Sequence, residues 1–162
     1  MALRHIHLDL DLFRNSHNLA DRERSQNSIL WFLEALTQVN VLFFRTYPNT
    51  PRLYQSNVVY DNMNMEEEAE HWKDVSTTLE DGKAVCGTLA CYRAAELWAF
   101  DNIHAHPFLR WRRMPDDSLR YHALVRWPAG RIEDPSKALG MGGPIIRRPV
   151  FVGTYGSTSI QF

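Results

Sequence analysis

Residues Leu119 to Trp127 alternate strictly, with Leu119, Tyr121, Ala123, Val125 and Trp127 on one side and Arg120, His122, Leu124 and Arg126 on the other. Side chains of a strand point alternately to its two faces, so this run reads as a β-strand. Pro128-Ala129-Gly130 follows as a turn before Arg131 to Glu133, which makes the whole a hairpin. With a three-residue turn Trp127 faces Arg131 and Leu124 faces Asp134, placing His122 and Asp134 as diagonal neighbours on one face. A two-residue turn instead sends Asp134 to the other face, so the register decides whether an acid can orient the imidazole.

An imidazole held by a carboxylate suits a nucleophile, and Glu80 to Leu97 (EDGKAVCGTLACYRAAEL) supplies one. The polar turn Asp81-Gly82-Lys83 leads into residues of good helix propensity, which puts Cys86 at or just before the first helical turn. Unpaired N–H groups and the positive end of the helix dipole favour a thiolate there. Gly87 leaves room for a substrate carbonyl and for backbone donors to an oxyanion. Buried cysteines are more often inert packing, and Cys91, inside the helix between Ala90 and Tyr92, is read that way. The two cysteines cannot bridge, because a rise of about 1.5 Å per residue sets their Cα atoms roughly 8 Å apart.

Cys86 at a helix start, His122 on a strand and Asp134 near the end of the next strand, followed by Pro135, resemble the Cys-His-Asp order of the transglutaminase-like superfamily of papain-like cysteine enzymes. Asn102 to Pro107 is similar to the segment that follows the nucleophile helix there. Tyr-His-Ala-Leu-Val and Ile-Glu-Asp-Pro-Ser look most like compact forms encoded by tailed bacteriophages, over roughly Leu79 to Met141. The chain departs from that pattern at Val85, where many such sequences carry an acid. The resemblance implies an α+β, papain-like fold with the nucleophile helix packed on an antiparallel sheet. It also implies a Cys86–His122–Asp134 triad acting on a protein or peptide without a cofactor. An upstream group lines the oxyanion side in such enzymes; Gln55 and Trp72 are the candidates here, with packing the commoner role for a tryptophan.

Composition narrows the alternatives. At 162 residues the chain suits one domain, with a core over about 28–148, an N-terminal strand over 3–13, and a C-terminal strand and tail over 149–162. A formal net charge of −1 argues against an electrostatic nucleic-acid binder; Arg110/Arg112/Arg113 and Arg147/Arg148 read as solvated faces or partner contacts. The sequence shows no bilayer-spanning run and no signal-peptide core, so the expected setting is a reducing cytoplasm, or incorporation in a virion or phage-like particle.

Along the rest of the chain, Leu3 to Phe13 alternates as a strand. Its His5, His7, Asp9 and Asp11 share one side, which reads as an ordinary polar face, so no metal is expected. Asn15 to Ser28 reads as a polar, loop-like stretch, either a linker or one that carries a short helical piece. Ser28 would then cap a helix over Ile29 to Arg45, whose breadth of apolar residues predicts deep burial, with Tyr47-Pro48 ending it. Short strands are expected at Asn57 to Tyr60 and over Phe108 to Arg112, a polar loop at Asp61 to Glu70, and a glycine-bearing loop from Lys137 to Arg148. Two functions fit: a cysteine hydrolase or acyltransferase, or a catalytically silent structural component of a phage tail or related particle that meets other subunits through its termini.

Overall fold

The structure, a computed structural model, describes residues 19–62, 71–115 and 119–143. The expected terminal strands, the polar face of His5, His7, Asp9 and Asp11, the tail, and most of the acidic loop lie outside the described residues. What is described is a mixed α+β arrangement of helices and two small sheets.

Helix α1 runs from Leu19 to Thr46, so the loop-like stretch expected before Ser28 is corrected from Leu19 onward to helix. No glycine or proline interrupts 19–46, and the buried row of Ile29, Leu33, Thr37, Val41 and Phe44 extends backward by one turn to Ser25, which is also buried. The expected burial of the whole helix is corrected too. Trp31 is 79% exposed, Leu42 63% and Val39 53%, so one side of α1 is packed and the other meets solvent.

A 3-10 turn at Leu53–Gln55 leads to β1 (Val59–Tyr60), which pairs in parallel with β2 (Lys83–Ala84). Between them stands α2 (Val75–Asp81), a helix the sequence reading did not foresee because Val75, Thr77 and Thr78 are weak helix formers. Its ends explain it. The Asp74 side chain accepts a hydrogen bond from the Thr77 N–H at 2.8 Å, and Gly82, at φ 66°, closes the other end in the left-handed region.

Helix α3 (Cys86–Asp101) follows at once and forms the centre of the fold. One side meets α1 and the sheet through Cys86, Ala90, Ala94 and Leu97, which cluster with Leu33, Leu109, Ala123 and Val125. Its other side carries Leu89, Tyr92 and Ala95 against Val41, Phe44, Leu53 and Val75. The alanines let neighbouring elements approach closely, which is why a strand, a second helix and the small sheet all fit around it.

The larger sheet is antiparallel, in the order β3 (His106–Arg113), β4 (Leu119–Arg126), β5 (Ile132–Glu133). β4 pairs with β5 as Val125 to Glu133 and Arg126 to Ile132, and the Trp127 N–H donates to the Arg131 carbonyl at 2.8 Å. This is the register a three-residue turn requires, with Leu124 opposite Asp134. A short helix, α4 (Pro135–Ala138), leaves the end of β5.

Candidate active site

Val85 is the N-cap of α3, extended at φ −83° and ψ 169°, with no side-chain capping bond. An acid at that position would accept from the first-turn N–H groups; a valine leaves the capping oxygen absent. Cys86 is the first helical residue, at the end where amide N–H groups point outward and negative charge on sulfur is favoured. Its side chain is 6% exposed.

Gly87 explains how the first turn is covered. A Cβ built there would lie 2.8 Å from Trp72 Nε1, 3.1 Å from Trp72 Cδ1 and 3.2 Å from Leu33 Cδ2. Only a residue without a side chain lets the Trp72 indole rest on the turn that begins with Cys86. The segment is fastened by the Lys73 N–H, which donates to Thr88 Oγ1 at 3.0 Å, and by the Val75 N–H, which donates to Asn40 Oδ1 at 3.1 Å. The structure therefore sets the Trp72 indole against the first turn of α3, packed on the core cluster that holds Cys86.

His122 Nε2 lies 3.0 Å from Asp134 Oδ1, and both side chains remain about one-fifth to one-quarter exposed. A carboxylate accepts, so the neutral imidazole in this contact carries its proton on Nε2 and keeps the Nδ1 lone pair as a base. The same Asp134 Oδ1 accepts from the Lys137 N–H at 3.1 Å and so caps α4. Cys86 shares a core cluster with Ala123 and Val125. Alternation along β4 sends His122, which lies between Tyr121 and Ala123, to the opposite face with Asp134, so the 3.0 Å contact brings His122 and Asp134 together but not Cys86.

Gln55 is placed elsewhere. Its 3-10 turn is docked by the Leu53 N–H, which donates to Glu96 Oε2 at 2.5 Å. Glu96 is ten positions beyond Cys86 on α3, about 15 Å along the axis at 1.5 Å per residue. Gln55 itself is exposed, and the structure does not bring it to the first turn of α3.

Cys91 is fully buried and its thiol donates to the Leu33 carbonyl at 3.1 Å; burial pushes its pKa up to about 12. It is a core thiol and no nucleophile. Among the described residues no three His, Cys, Asp or Glu side chains converge to hold a metal.

A charged group that sequence reasoning missed lies next to this pair. Arg93 contacts Glu96, whose side chain is fully buried, and its Nε donates to Glu133 Oε1 at 2.8 Å. Glu133 also accepts from Tyr54 Oη at 2.5 Å and from Trp127 Nε1 at 2.8 Å. Burial pushes the Glu96 carboxyl above the usual range. Burial also opposes ionisation of Glu133, but the Arg93 and Tyr54 hydrogen bonds prevail and hold it below the ordinary value. The signal available in the sequence was an Arg and a Glu three apart inside an otherwise apolar helix, a spacing that puts them on neighbouring turns.

Comparison with protein-family models, with curated proteins and with solved structures finds no match for this chain.

Proposed function

We propose that the protein is a cysteine-dependent hydrolase or acyltransferase of the transglutaminase-like type, with Cys86 as nucleophile, His122 as base and Asp134 as the group that orients it. The observation that carries this reading is the His122 Nε2 to Asp134 Oδ1 contact at 3.0 Å, which leaves Nδ1 to receive a proton. Catalysis requires the imidazole to reach the Cys86 thiol, which clusters with Ala123 on the other face of β4; Nδ1 then takes the thiol proton, and the sulfur attacks an amide or ester carbonyl of a protein or peptide to form a C–S bond. The tetrahedral oxyanion takes hydrogen bonds from first-turn amides of α3. Collapse expels the amine or alcohol, which leaves with the proton from Nδ1. Water or an amine then attacks the acyl-thioester, giving its proton to Nδ1 as the C–S bond breaks. Which second nucleophile enters separates hydrolysis, deamidation and cross-linking.

A second reading is favoured by the exposed row Trp31, Val39 and Leu42 on α1 and by the low exposure of Cys86: a silent structural component of a phage tail or related particle. Native protein treated with iodoacetamide at pH 6 separates the two. Catalysis expects fast, single-site labelling of Cys86 that is lost in His122→Ala. Labelling no faster than that of a free cysteine rejects catalysis and leaves the structural reading.

A further inference from the structure

We propose that Arg93 and Glu133 are positioning residues that hold Asp134 on His122, an inference resting on His122 and Asp134 as the base and its orienting acid. β5 consists of Ile132 and Glu133 alone, and its two pairings with β4 are a weak tether for the strand that delivers Asp134. Ile132 is 37% exposed and adds little packing. Glu133 supplies what the ladder lacks. Its carboxylate accepts from Arg93 Nε, Trp127 Nε1 and Tyr54 Oη, at 2.8, 2.8 and 2.5 Å, which joins β5 to α3, to the hairpin turn and to the 3-10 turn.

Alternation completes the geometry. Glu133 turns toward α3, so Asp134, the next residue, leaves the strand toward the other side, where His122 stands. The His122–Asp134 contact is 3.0 Å, and a hydrogen bond is lost beyond about 3.5 Å. A slip of β5 by a fraction of one residue, out of the usual rise of about 3.3 Å, is enough to break it. The three bonds to Glu133 oppose that slip. Arg93 is itself fixed by Glu96, whose other oxygen accepts from Leu53, so the anchor is part of the helix core.

The test reads the imidazole directly. In protein carrying 15N-labelled histidine, the Nε2–H and Nδ1–H populations of His122 are measured by NMR in the wild type, Asp134→Asn, Glu133→Gln, Arg93→Lys and Tyr54→Phe. Denaturation curves confirm that each variant is folded under the conditions used. The expected result is a wild type dominated by Nε2–H, with Glu133→Gln and Arg93→Lys moved most of the way to the Asp134→Asn distribution. Tyr54→Phe, which removes one exposed bond, shifts less and in the same direction. If Glu133→Gln does not fold, Arg93→Lys and Tyr54→Phe decide. Folded variants with the wild-type tautomer ratio overturn the proposal. Cys86 plays no part in this readout, so an unreactive thiol would remove the proposed catalysis while leaving the positioning result to stand or fall by itself.

Discussion

Asp134 serves two partners, and the two can be separated by one substitution. Asparagine is as good an N-cap as aspartate, so Asp134→Asn retains the bond from the Lys137 N–H and costs little stability. Its neutral amide cannot stabilise an imidazolium, and where Nδ2 in place of Oδ1 turns to His122 it favours the wrong tautomer at the expense of the cap. Turnover of an ester or amide substrate is expected to fall by a factor on the order of 10⁴, the size seen for the equivalent change in a serine triad. Steady-state rates beside a thermal melt check both halves; an unchanged rate would remove Asp134 from the mechanism. Gly87→Ala tests the opposite kind of contact. Alanine gains about 1 kcal/mol of helix propensity, but its methyl group would meet a ring nitrogen at 2.8 Å and a leucine methyl at 3.2 Å. A packed indole yields less readily than a flexible chain, and overpacking of this kind costs about 1–3 kcal/mol, so a lower denaturation midpoint and altered Trp72 fluorescence are expected. A midpoint above the wild type would show that the indole moves aside freely.

Helix α1 shows at the scale of an element what periodicity can and cannot tell. Leu33 has no exposed surface and Trp31, two residues earlier, is 79% exposed. Leu33→Ala is expected to cost about 2–5 kcal/mol and Trp31→Ser less than about 0.5 kcal/mol, read from urea curves of the two variants. Similar losses at both sites would mean that the outer row is covered in solution. The hairpin was readable from alternation and the Pro-Ala-Gly turn, while its register, which the sequence left between a two- and a three-residue turn, is decided by the pairing of Val125 with Glu133. The start of α1 was not readable: its first turns are polar, and their helical state depends on a single buried row that begins at Ser25. α2 escaped for a related reason, since Asp74 and Gly82 supply at its ends what its β-branched residues lack within. The Arg93–Glu133 link joins residues forty positions apart, a distance over which pattern carries no information until the fold closes.

For the molecule as a whole, α3 is the common wall of two clusters, one toward α1 and the sheet, the other toward α2 and the 3-10 turn. Cys86 stands at the end of that wall, and Ala123 couples it through the core to β4. A thiol at the tip of the most buried helix is carried by a rigid element, which suits a nucleophile that must be held rather than found by a mobile loop. The candidate triad was legible as order along the chain, and of its pairings the structure describes that of His122 with Asp134, while Cys86 clusters with Ala123 and Val125 on the other face of β4. The exposed side of α1 belongs to the same scale, and had no counterpart in the expectation of a fully buried helix.

A single oxygen atom, Asp134 Oδ1, receives both the imidazole of His122 and the backbone amide that opens α4. A proton arriving at His122 strengthens one claim on that oxygen at the expense of the other. If His122 is the proposed base, the Lys137 amide, which takes no part in bond making, would report the charge state of the imidazole through the oxygen they share.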